Sequence, residues 1–172
     1  TSFGRGRDAY ARRSGNPVNA GGQPLLMVKH SDLEGSRKNE RRAVITFDVA
    51  GISPRQIEEA QIVLDPEPSG MGFTAMVPDS KFAVYGVNEA DGGDRWDEST
   101  LAWETLPACD DQGVNESRAR KLAEFWLPRG GSGEPLTIRS DALAAFIRED
   151  RDGLVTFLIV RETGETHSSG LV

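Results

Sequence analysis

Arg41 to Val49, RRAVITFDV, constrains the fold of this chain more than any other stretch. Side chains alternate along a strand, so Ala43, Ile45, Phe47 and Val49 share one face while Arg42, Val44, Thr46 and Asp48 share the other. The strand enters through two arginines and leaves through Asp48 into the turn Gly51-Ile52-Ser53-Pro54. One face reads as the wall of a core. The other, which carries Arg42, reads as facing outward and free to bind.

A second stretch, Leu154 to Val160 (LVTFLIV), is apolar on both faces and predicts a central strand covered on both sides. Shorter candidate strands lie at Asp8 to Arg13, Pro24 to His30, Gln56 to Asp65, Lys81 to Val87, Leu122 to Leu127 and Leu136 to Ile138. In Pro24 to His30, Leu26 and Val28 point one way and Leu25, Met27 and Lys29 the other. Ser140 is placed to cap a short helix over Asp141 to Arg148, with Leu143, Phe146 and Ile147 as its buried stripe. Nineteen glycines and nine prolines among many short apolar runs favour turns and strands over helices. The expected fold is all-β: one sandwich domain over residues 1–172, with one short helix plugging an end.

Composition narrows the function. A chain of 172 residues can bury roughly two thirds of its unfolded surface and needs no disulfide to fold. Its single cysteine, Cys109, excludes an intrachain disulfide framework and a cysteine-based zinc cluster, and reads as a small buried residue. No apolar run is long enough to insert in a membrane, and TSFGRGRDAY lacks the hydrophobic centre of a signal peptide, so a soluble, mature or excised fragment is expected. The net charge of -7 argues against nucleic acid as a partner. That charge is uneven. Residues 1–42 hold nine basic and four acidic side chains, net +5, which leaves eleven basic and 23 acidic, net -12, for the remainder.

The basic quarter carries the binding chemistry. Tyr10 and Arg12 share a face of the first candidate strand, and Lys29 and Arg42 are read as outward-facing on the next two. If these strands are neighbours, the side chains converge. Arginine grips a carboxylate through two parallel hydrogen bonds and lysine adds a point charge, so such a surface suits an acidic polysaccharide. The alternative is a solvated face of paired surface charges. Enzyme signatures are poor: His30 and His167 are too few for a histidine metal site, no nucleophile elbow or phosphate loop occurs, and the abundant carboxylates have no spacing that singles out an acid/base pair. No cofactor is specified with certainty. Asp91, Asp94 and Asp97 either ligate a structural calcium or, with Gly92 and Gly93, mark a solvated turn. Trp96 and Trp103 are expected to pack, with Asp97 to Thr100 as partners for the indole N–H groups; an exposed Trp96 would instead be a platform for sugar stacking.

In order along the chain, DAYARR, PLLMVKH, RRAVITFDVAGI, VYGVNEADGGDRWDESTLAWETLPA and GLVTFLIVRET resemble the motif series of DNRLRE-type domains, which include the family 96 carbohydrate-binding modules. The resemblance covers nearly the whole chain, and WDESTLAWETLPA (Trp96 to Ala108) is its most specific element. It implies a jelly-roll β-sandwich that binds polysaccharide, with alginate-like uronic acid polymers as one ligand class. The positions carried over are Tyr10, Asn19, Lys29, Arg41 and Arg42, and related sandwiches add Asp8 as a calcium ligand. Two departures remove contacts from the implied groove: Val44 and Thr46 stand where the family often has tyrosine and a basic residue, and Ala20 follows Asn19 where tyrosine is common. The terminal HSSGLV resembles either part of an expression tag or the family's own continuation, in which case a final strand is missing. The expected function is therefore a noncatalytic polysaccharide-binding module, for acidic glycans, of a larger secreted or surface protein, located extracellularly, on the cell surface or in the periplasm. The alternative is a structural or adhesive module that contacts other proteins. A lyase or hydrolase is a third class.

Overall fold

The central strand of the molecule is the apolar run foreseen from LVTFLIV. In the computed structural model, which describes residues 3–14, 20–30, 36–67, 79–128 and 134–163, all eight residues of Leu154–Arg161 are buried. The strands are β1 (Arg7–Arg12), β2 (Arg41–Asp48), β3 (Gln61–Leu64), β4 (Ser80–Val87), β5 (Ala119–Leu127), β6 (Leu136–Arg139) and β7 (Leu154–Arg161), and the helix α1 spans Asp141–Glu149. Five strands pair antiparallel in the order β1-β2-β7-β4-β5, and β3 pairs with β6 as a separate ribbon. The protein is thus mostly β, with two antiparallel sheets and one short helix. No helix among the described residues is long and apolar enough to cross a membrane.

Both faces of the large sheet are covered, each by a different kind of layer. On the helix face, Ala43, Ile45, Val84, Val155, Phe157 and Ile159 pack with Ile62 and Ile138 of the ribbon and Leu143 of α1. On the loop face, Val44, Ala83, Tyr85, Leu158 and Val160 pack with Trp96, Leu101, Trp103, Leu106 and Ala108 from the long β4–β5 connection. The alternation in β2 is as expected, but its second face is not outward: Arg42, Val44 and Thr46 are all buried. Burial of this face follows from the two tryptophans, whose large apolar bodies need a sheet to lie on.

Local chemistry sets the helix and turns. The Ser140 hydroxyl accepts from the Leu143 backbone N–H at 3.0 Å, an N-cap worth about 1 kcal/mol. The buried stripe is Leu143 with Ala144, while Phe146 and Ile147 are partly buried against the same core. Gly86 allows this docking, because a Cβ there would come within 2.7 Å of the Phe146 ring. Gly153, at φ +82°, ends the turn into β7, and a side chain there would strike Ala50.

One expected strand is absent, and another carries an irregularity. Pro24 to His30 is not a strand: only Lys29 pairs, through a single bridge to Arg41, although Leu26 and Val28 do turn inward and Leu25 and Met27 outward. In β5, Val84 faces Ala123 while Tyr85 faces Lys121, so Leu122 is an extra residue, a β-bulge. The bulge reverses strand parity, and Lys121 and Glu124 consequently stand on the same face.

The tryptophan layer is pinned by a buried polar chain. Trp96 Nε1–H donates to Thr46 Oγ1 at 2.9 Å, Thr46 and Thr156 Oγ1 lie 2.7 Å apart across the β2–β7 pair, and Thr156 Oγ1 donates to Asp94. The indole partner is therefore a sheet threonine rather than Asp97 to Thr100. Burial raises the Asp94 carboxyl above its usual range, against the opposing hydrogen bond from Thr156.

Candidate functional site

The β1–β2 register places Arg12 opposite Arg41 and Tyr10 opposite Ala43 on the helix face. Lys29 is brought to the same corner by reciprocal backbone hydrogen bonds with Arg41, at 3.0 and 2.8 Å. Four of the six predicted ligand-binding residues, Tyr10, Arg12, Lys29 and Arg41, are thus assembled by pairing of their backbones.

This corner gathers like charge. Arg12 is exposed and donates to Asn39 Oδ1 at 2.8 Å, while the half-buried Arg41 reaches the Asn39 carbonyl at 3.4 Å. Among the described residues, no carboxylate lies within 4 Å of either guanidinium. Burial, followed by the proximity of Arg12, lowers the Arg41 pKa from its ordinary value, and Tyr10 partly opposes this. Crowded arginines whose described neighbours are neutral meet the electrostatic condition that an anionic ligand relieves. Tyr10 is buried in the core of the same face, so its ring is not a surface platform.

Arg42 belongs elsewhere, and its predicted outward position is corrected. It is 3% exposed on the loop face, with Nε and Nη2 on Glu40 Oε1 at 3.2 and 2.8 Å and Nη1 on the Gly113 carbonyl at 3.0 Å. Its guanidinium lies 4.5 Å from the centre of the Trp103 ring. Arg37 and Arg13 approach the other Glu40 oxygen at 2.7 and 3.6 Å. Every part of the Arg42 fork has a partner in the protein, so it does not join the corner of Arg12 and Arg41. Asn19 lies outside the described residues.

The predicted calcium set is dispersed. Asp94 accepts from Thr156, and Asp97 caps Ser99, whose hydrogen bonds hold the Asp97 carboxyl below its usual range. Asp8 meets Glu98 through its backbone N–H, at 2.7 Å, and the Asp91 side chain is not among those described. The three carboxylates whose oxygens lie within 4.8 Å of one another are instead Glu89, Asp150 and Asp152, among the described residues. Burial, with the neighbouring Glu89 and Asp152, pushes Asp150 up to about 6. Oxygen donors of this kind are what a hard cation takes, but none of the predicted ligands is in this group.

Trp96 and Trp103 are 8% and 7% exposed and serve packing, whereas Trp126 on β5 is 58% exposed. No turn or charge pattern marks Trp126 within ARKLAEFWL, so its exposure is not legible in the sequence. A cleft of about 480 Å³ opens over the loop layer, rimmed by Arg95, Trp96, Glu104 and Arg118. Cys109 beside it is largely buried, which raises its thiol pKa and keeps it a poor nucleophile.

No protein-family model matches this sequence, and no curated protein matches it.

Proposed function

We propose that this chain is a noncatalytic polysaccharide-binding module that takes an acidic glycan at the corner formed by Arg12, Lys29 and Arg41. The observation that carries the reading is the Arg12–Arg41 cross-strand pair, two like charges side by side with no carboxylate in reach among the described residues. Adjacent strands lie about 4.8 Å apart, so the two forks can grip one uronate or two successive ones. Tyr10 is buried and cannot reach a substrate proton, which favours holding over cleavage. In this reading the two sheets are those of a jelly-roll sandwich, and the module serves a larger secreted or surface protein.

Affinity electrophoresis in gels cast with alginate, pectate or a neutral glucan tests it. Retardation by a polyuronate, weakened by added salt and by Arg41→Gln, is expected. Absence of retardation by any of the polymers sinks the proposal, and release of unsaturated sugar ends from a polyuronate would replace it with a lyase.

A further inference from the structure

We propose a second saccharide subsite, selective for neutral sugars, on the loop face at the β4–β5 edge, with Trp126 as its platform. This site is independent of the cationic corner: it sits at the opposite edge of the sheet, on the other face.

Trp126 faces Lys81 across the β4–β5 pair, so it stands on a regular strand pair rather than a loop. A tryptophan more than half exposed on such a strand is unusual, since this side chain is among the most buried on average. Beside it lies a closed network of charges. Lys81 Nζ meets Glu124 Oε2 at 2.8 Å and Glu162 Oε2 at 3.2 Å; Lys121 Nζ meets Glu124 Oε1 at 2.9 Å and also contacts Glu162 Oε1. The Tyr85 hydroxyl donates to Glu162 Oε1 at 3.3 Å. The β5 bulge completes this set by bringing Lys121 to the face that Lys81, Glu124 and Trp126 already share.

Two lysines and two glutamates sum to zero, and each cation is already paired. An acidic sugar would therefore displace a carboxylate to gain a partner. A neutral pyranose would not. Its C–H face lies flat on the indole, whose π face is electron-rich, and its hydroxyls both donate and accept, matching the mixed carboxylate and ammonium rim. A second copy of the chain pairing along β5 is disfavoured by the same bulge, and by Ser140 Oγ, which donates to the Leu122 carbonyl at 2.6 Å on that edge.

Acrylamide quenching of tryptophan fluorescence reads this site directly, because Trp96 and Trp103 are buried. With millimolar cellohexaose, mannohexaose or xylohexaose, at least one should reduce quenching about twofold, while a hexauronate does not. Trp126→Ala should remove the accessible fluorescence and the response yet keep polyuronate retardation. Trp126→Phe should retain weakened binding by calorimetry. Arg41→Gln should leave the neutral-sugar response unchanged, so the two sites fail separately. Unaltered quenching with all three neutral hexamers overturns the proposal. So does protection that depends on protein concentration instead of sugar, with a dimer in sedimentation.

Discussion

Arg41 and Arg42 are consecutive in sequence and belong to opposite faces of β2, where they have opposite electrostatic fates. Arg42 is enclosed on the loop face, with a carboxylate, a carbonyl and an indole ring around its guanidinium. Arg41 on the helix face meets another arginine and a backbone carbonyl. A satisfied buried charge holds a fold together, whereas a crowded, partly exposed one is available to a ligand. Charge type alone does not separate the two roles; the partners do.

The contrast breaks first on Glu40. Glu40→Ala leaves Arg42 buried without a carboxylate, and we expect a loss of about 3–5 kcal/mol in urea denaturation. A loss below about 1 kcal/mol would remove the structural role assigned to the loop face. Arg41→Gln comes next and should act in the opposite sense: polyuronate affinity falls roughly tenfold or more, as for a charged hydrogen bond, while Tm holds or rises because Arg12 loses a like-charged neighbour. A fall in Tm with unchanged affinity would reverse the assignment of this face.

Smaller effects test whether crowding is the deciding variable. Asp150 is the acidic counterpart of Arg41, raised to about 6 by burial among carboxylates. A folded pKa above the unfolded value stabilises fully below that unfolded value, and the benefit is lost as pH rises through about 6. Asp150→Asn should therefore raise Tm by about 1–3 °C at pH 7.5 in chelator, with the gain vanishing below about pH 4. The smallest effect belongs to Glu124, held at about 2 by hydrogen bonds from Lys81 and then Lys121. Its contribution is present above its ordinary value of 4.5 and lost as pH falls toward about 2, so Glu124→Gln should cost Tm at neutral pH and nothing at the acidic end, by scanning calorimetry.

Period and capping made β2, β7 and α1 legible in the sequence, because alternation, a continuous apolar run and a serine before an apolar stripe each have a local cause. Which face meets solvent has no local cause. Alternation alone leaves Arg42 outward, because nothing in RRAVITFDV reports that Trp96 and Trp103, more than 50 residues on, cover that side. The Arg12–Arg41 pair depended on which strands are neighbours, a long-range fact. Parity also misleads in β5, where simple alternation separates Lys121 from Trp126 and the bulge at Leu122 reunites them.

The hydrogen-bond chain from Trp96 through Thr46 and Thr156 to Asp94 begins and ends in one loop, two residues apart. An indole N–H only donates and an ionised carboxylate only accepts, so both hydroxyl protons are forced to point the same way around the circuit. The threonines could serve either direction; the loop chooses one. A loop laid down in reverse would turn both hydroxyls the other way and satisfy the same chain, so the clasp takes its sense of rotation from the loop and does not select it. Protonating Asp94 supplies a donor at the far end and removes the requirement that both hydroxyls point one way, so the order of the clasp depends on the ionisation of one partly buried carboxyl.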